Sequence, residues 1–204
     1  SHPQPMSTMD RRPAPAGAVD STGSPAVSKR AFPLSGVHAL LEPGPVVLLS
    51  SAAGGRANVM AQSWHTLLEF EPPLVACVIS SRNHSFAAID ASGECVINLP
   101  GAALADAIVG CGNTSGATLD KFAAFGLSPE PARHVAPPLI RESFASLECR
   151  LADRSLVARY GLFIFEVVAA WHDPALPHEP TLHHRSYGEF MLSGPTIALP
   201  SQAR

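Results

Sequence analysis

The chain of 204 residues has no stretch approaching the roughly 18 uninterrupted apolar residues of a membrane span, so no spanning helix is expected. It is poor in charge. Only 15% of its residues are charged, against about 25% in a typical domain. Lysine occurs just twice, at Lys29 and Lys121. With 14 basic and 17 acidic residues the net charge is -3, and no basic footprint points to nucleic acid. Cysteine is scarce and unpaired in pattern. Cys77, Cys95, Cys111 and Cys149 form no C-x-x-C motif, which excludes a thiolate zinc site of the usual spacing and a thioredoxin-type pair. Cys77, Cys95 and Cys149 lie in strand-like runs and read as free, buried thiols of a reducing cytoplasm rather than as disulfides. No G-x-G-x-x-G follows a strand: Gly110-Cys111-Gly112 comes after a helical run and has the wrong onward spacing to Gly116. A P-loop and a G-x-S-x-G nucleophile elbow are missing too.

What is present is enough for a full core. Hydrophobic residues make up 46% of the chain, which excludes disorder of the whole. Residues 1–30 differ from the rest. They carry Pro3, Pro5, Pro13, Pro15 and Pro25 among Ser, Ala and Gly, and they read as a flexible tail before one domain over 31–204. Arg11-Arg12 is similar to a twin-arginine signal, but no apolar segment follows it, so export is not expected and the chain is assigned to the cytoplasm.

Apolar, β-branched runs predict strands over 45–51, 74–80 and 94–100, with an extended segment over 57–66. Alternation predicts further strands over 146–154 and 160–172, and a turn with a short strand over 185–194. Gly54-Gly55 predicts a hairpin turn. Short helices are expected over 84–92, capped by Ser85 and ended by Gly93, over 103–109, and over 119–126, ended by Gly126. Six or seven strands that do not alternate with long helices disfavour a doubly wound sheet. They predict a mainly β, antiparallel barrel with short inserted α-helices. Trp64, Phe163 and Phe165 read as core.

The polar clusters gather at strand ends and helix starts. Ser80-Ser81-Arg82-Asn83-His84-Ser85 precedes a helix, and hydroxyls, an arginine and free N–H groups at such a point suit an anionic phosphate. The bland alternative is a capped helix with a surface arginine. The Cys111 to Gly116 stretch reads as a glycine-rich loop able to approach a flat ligand, or as an ordinary turn. Asp120-Lys121 reads by default as a surface ion pair. His65, directly after Ser63-Trp64, is the weak catalytic candidate, with a strand histidine in a polar contact ranked above it. Cys111 reads as structural before redox-active. His178, His183 and His184 lack the spacing of a compact metal-ligand set, and no metal is expected.

Taken in order, these segments resemble the flavin reductase-like domain family, the FMN-binding split barrels that include flavoredoxins. The residues that carry the resemblance are Gly55 to Trp64, Pro72-Pro73, Ser81 to Ser85, Val96 to Pro100, Cys111-Gly112 with Ser115-Gly116, and Asp120-Lys121-Phe122. It extends through Ala136 to Ile140, Leu147 to Cys149 and Phe165 to Val168, and covers about residues 35 to 195. The resemblance implies a Greek-key-like split barrel that forms a homodimer, with FMN near the subunit interface. On that basis Asn58, Val59, Met60, Ala61, Ser63 and Trp64 would line the isoalloxazine. Ser80, Ser81, Arg82, Asn83 and Ser85 would meet the phosphate and ribityl chain. Asn98, Cys111, Gly112 and Ser115 would approach the ring's polar edge, and Lys121, beside Phe122, would add a second positive charge at the phosphate. A single phosphate cluster favours FMN over FAD, with NADH or NADPH as electron donor.

One departure matters. Some NAD(P)H-dependent members carry a glycine-aspartate-histidine element before the late strand, where this chain has Ala158-Arg159-Tyr160-Gly161. Three functions are therefore weighed: an NAD(P)H-dependent flavin reductase, a flavoredoxin-like electron carrier served by a redox protein partner, and a non-catalytic split-barrel dimer that binds another anion. The intact Ser/Arg/Asn cluster argues against the third.

Overall fold

The computed structural model describes residues 28–202; of the tail expected over 1–30, residues 1–27 lie outside them. Its last residues belong to the folded body. Lys29 is buried, with Nζ donating to the carbonyls of Ile140 and Arg141 at 2.8 Å each. Arg30 opens strand β1 (Arg30–Phe32). Helix α1 (Val37–Leu41) follows, then β2 (Val47–Ala53) and β3 (Arg56–Gln62), joined by the expected Gly54-Gly55 turn. Both glycines have positive φ, as a two-residue hairpin turn of this twist requires. Next come β4 (His65–Phe70), β5 (Pro73–Val78), helix α2 (Ser85–Ser92) and β6 (Glu94–Leu99). Helices α3 (Ala105–Asn113) and α4 (Lys121–Phe125) precede two short strands, β7 (Pro129–Glu130) and β8 (Leu139–Ile140). The chain continues through β9 (Ala145–Asp153), α5 (Val157–Tyr160) and β10 (Leu162–His172), and finishes with the hairpin β11 (Leu182–Ser186) and β12 (Glu189–Leu192).

The main sheet runs β3-β2-β6-β9-β10-β5-β4, with β1 added on β10, and its pairings are antiparallel. The two ends of that path, β3 and β4, are consecutive in the chain and separated only by Ser63 and Trp64. The sheet must therefore curl until its ends meet. The seam is bridged by a side chain: Gln62 Nε2 donates to the Trp64 carbonyl at 2.7 Å and to the Val78 carbonyl at 3.1 Å. The curled sheet encloses one core, in which Phe163 and Phe165 are fully buried and stack at 5.8 Å. The four cysteines are free and buried, as expected.

Two expectations are corrected here. The Gly110 to Asn113 stretch is not a loop but the last turn of α3. A Cβ at Gly110 would collide with the Phe125 ring, so this glycine serves close packing of α3 on α4. Trp64 is not core, for it stands 72% exposed.

Candidate functional site

Strand β3 leaves the sheet at Gln62 and delivers Ser63 and Trp64 to the surface. Strand β5 ends at Val78 and hands the chain to Ser80, Ser81, Arg82 and Asn83, which lead into α2. Between these two stretches lies a cleft of about 1060 Å³. One wall is Met60 to Trp64, and the other is Val78 to Ser81 with Asn83 and Phe86. A third side comes from α5 and the residues around it: Arg154, Arg159, Tyr160 and Gly161. The volume is at the upper end of the roughly 300–1,000 Å³ of ordinary small-molecule sites.

The end of the cleft at the start of α2 is built largely from backbone. Ser85 does not cap α2, contrary to expectation. It is the helix's first residue, is 1% exposed, and its hydroxyl accepts from Asn58 Nδ2 at 2.9 Å. Among the described residues no side chain caps the helix, although the Phe86 N–H of its first turn already donates to the Asn83 carbonyl at 3.1 Å. The Ser80 hydroxyl accepts from the Arg82 N–H at 3.3 Å and holds the turn. Arg82 itself is exposed. A glycine completes the corner: a Cβ at Gly116 would collide with Asn58 Oδ1.

Of the residues the sequence singled out, Met60, Ala61, Ser63, Trp64, Ser80, Ser81 and Asn83 line this cleft, with Asn58 and Ser85 bonded to each other behind it. Others lie elsewhere. Asn98 is fully buried in the middle of the sheet and satisfied by protein. It donates to the Leu48 carbonyl at 3.1 Å and to Ser50 Oγ at 3.3 Å, and accepts from the Ile140 N–H at 2.9 Å and Ser146 Oγ at 2.7 Å. The Val59 side chain, Cys111 and Phe122 are packed in a second apolar cluster beneath α3 and α4. Burial pushes the Cys111 thiol up to about 11, which makes it a poor nucleophile at neutral pH. Gly112 borders a neighbouring cleft. Ser115 is exposed, and its hydroxyl accepts from the Ala117 N–H at 3.2 Å.

Lys121 forms no surface pair with Asp120. It is 5% exposed, and its Nζ donates to the Cys111 carbonyl at 2.8 Å. Burial lowers its pKa. Asp120 instead caps α4, accepting from the N–H groups of Phe122 and Ala123. His65 faces a smaller cavity beside α1, away from the cleft. Its Nε2 lies 2.7 Å from the Pro45 carbonyl, so the ring is the strand histidine in a polar contact that was ranked first. The three C-terminal histidines go separate ways: His178 stacks on Phe144, His183 bonds Thr181, and His184 meets Phe190 edge-on.

Sequence reasoning missed Gln62, Arg154, Arg159 and Tyr160 at the cleft. Gln62 is the most informative. Its amide nitrogen is committed to the seam, and its Oε1 is buried without a partner among the described residues. The signal available for Tyr160 was rarity: the chain has two Trp and two Tyr, and Trp64 and Tyr160 both stand at the cleft, exposed.

Comparison with known proteins agrees with this architecture. The YddH protein of Escherichia coli K12 is 33% identical over 184 residues, 82% of this chain and 97% of that protein. The FMN-binding domain of a flavin reductases-like enzyme from Shewanella baltica superposes with a TM-score of 0.79 at 28% identity, covering 84% of this chain and 97% of that one. The flavoredoxin of Desulfovibrio vulgaris shares the fold at a TM-score of 0.71 and 24% identity, covering 78% and 92%. The model of the flavin reductase like domain matches residues 40–190. The split-barrel fold, the cleft beside the Met60 to Trp64 strand end and that match lead to one conclusion: this chain belongs to the flavin reductase-like domain family.

Proposed function

We propose that the protein is an FMN-binding oxidoreductase that holds the flavin in the cleft between Met60–Trp64 and Ser80–Asn83. The observation that carries the reading is the pairing, in one cleft, of an uncapped helix start with an orphaned amide oxygen. The α2 N-terminus, with Ser80, Ser81 and Asn83 lining the cleft and the exposed Arg82 next to them in sequence, suits a phosphate monoester. Gln62 Oε1 lacks a donor, and an isoalloxazine ring offers one in its imide N–H. The residues present thus fit FMN. Bound there, FMN would supply two-electron chemistry, accepting hydride and passing electrons on. The chain's own part is to bind and orient. Trp64 and Tyr160 shield the cleft from water at its exposed rim; Arg154 is paired there with Asp90 at 3.6 Å, which leaves Arg159 as the cation offered to a ligand. Lys121 and Asn98, bonded to the Cys111 carbonyl and within the sheet, hold the fold rather than the ligand.

The donor we propose is NADH or NADPH, which makes the protein an NAD(P)H:flavin reductase and, with its family, a homodimer. The exposed Leu68 and Phe70 on β4 support a second copy. One observation favours a second reading, the flavoredoxin-like carrier: α5 supplies the cleft wall with Arg159 and Tyr160 and no histidine.

The test is an absorption spectrum of the desalted protein, before and after FMN and then, without oxygen, NADH or NADPH. Retained flavin bands that a nicotinamide bleaches are the expected result. Retained flavin that only a reduced protein partner bleaches selects the carrier. If flavin is not retained and nicotinamide oxidation at saturating FMN is no faster than with free FMN, both readings fail. Arg82→Ala should weaken FMN binding about tenfold, through loss of a charge-assisted contact.

A further inference from the structure

The segment Ala61 to Trp64 has a second cleft on its other side, enclosing about 790 Å³. Its remaining walls are the last turns of α3 and the β11–β12 hairpin. Ile108 and Phe190 make the interior apolar. Two aromatic rings stand at it, Trp64 at 72% exposure and Tyr187 at 102%. Tyr187 sits at φ 33, a strained backbone angle for a bulky residue that holds its ring at the turn of the hairpin. Among the described residues, Arg185 carries the only permanent charge of the lining, and no carboxylate lines the space. Its guanidinium has no hydrogen-bond or ion-pair partner among the described residues.

The charge balance selects a ligand class. Helix α3 ends at this cleft with Gly112 and Asn113, so the partial negative end of its dipole borders the space. One negative charge beside Arg185 is compensated. The two or more charges of a phosphate or a dinucleotide would meet a single cation and an opposing dipole. We infer that this second cleft binds a planar aromatic monocarboxylate. Its ring lies against Trp64 and Tyr187, and its carboxylate is held by the fork of Arg185. This goes beyond the FMN reading, because it concerns a second ligand that shares only the Ala61–Trp64 wall with the first.

Titration calorimetry with 2-naphthoate and its neutral isostere 2-naphthamide tests the assignment on the full chain. The acid should bind about tenfold tighter than the amide. Arg185→Met should bring the acid to the amide's affinity and leave the amide unchanged, while Arg185→Lys recovers part of the difference. Trp64→Leu should weaken both. Saturating FMN should displace neither. Equal binding of acid and amide, an unchanged acid affinity in Arg185→Met, or displacement by FMN overturns the inference. A protein that fails to bind FMN yet shows the Arg185 dependence counts against the FMN reading alone.

Discussion

Asn98 binds four groups from three other segments, and none of them belongs to a ligand. Its amide ties β2 to β6 while its oxygen fixes Ile140 and Ser146. Asn98→Ala should cost about 2–4 kcal/mol of stability, since it strands buried donors and acceptors. FMN affinity, measured by titration of the folded fraction, should stay unchanged; a large loss of affinity without loss of stability would return Asn98 to the cofactor. His65 gives a pH signature. The Pro45 carbonyl can only accept, so Nε2 carries a proton, and Nδ1 is buried with no partner among the described residues, a site that does not favour a second proton. Burial lowers its pKa from the ordinary 6.5, and the carbonyl contact only partly opposes this. The unfolded chain therefore binds this proton at a higher pH than the folded one. The stability that goes with the neutral ring is complete above about pH 6.5 and declines as pH falls through the window below it. In His65→Gln that part of the slope should vanish from a plot of thermal midpoint against pH. An identical slope in the variant would place the titration on another group. The strand motif around each of these two residues was legible in the sequence, but the face each side chain takes was not, because a single-residue shift in register reverses it.

Among the elements, those with their own terminal chemistry were the readable ones. Gly93 and Gly126 end α2 and α4 in the left-handed conformation, as their positions in the sequence suggested. Gly54-Gly55 likewise fixed the β2–β3 hairpin. Elements held by partners far along the chain were not readable. Strand β1 has three residues and exists because Ala31 pairs with Trp171. Helix α5 has four and depends on its ends: Gly161, at φ +65, stops the helix, and its carbonyl accepts from the Ile79 N–H at 2.8 Å. A Cβ there would strike the Ile79 carbonyl. Gly161→Ala should therefore destabilise the protein by roughly 2 kcal/mol or more, from the left-handed backbone and the collision together. Because α5 walls the cleft, FMN affinity should fall as well. Chemical denaturation and flavin titration measure the two effects, and a neutral outcome in both would remove α5 as a determinant of cleft shape.

At the scale of the molecule, composition and strand count were sufficient for an antiparallel barrel with short helical insertions, but not for its wiring. The strand pairs β6–β9 and β5–β10 join distant stretches, and no local pattern announces a partner. The site shares this division. The Met60 to Trp64 and Ser80 to Ser85 stretches were visible as polar clusters in strand and turn, whereas the third wall, with Arg154, Arg159 and Tyr160, is brought in by β9 and α5 from far along the chain. The meeting of β3 and β4 across only two residues also sets an order in time. Closing a short loop costs little chain entropy, whereas joining distant segments costs more and slows the search. The seam can thus form early, from neighbours, and the middle of the sheet, where Ile97 meets Leu147, is left to complete the barrel. The cleft wall at Ala61 to Trp64 is then among the first parts of the molecule to take shape, and the cleft it faces among the last.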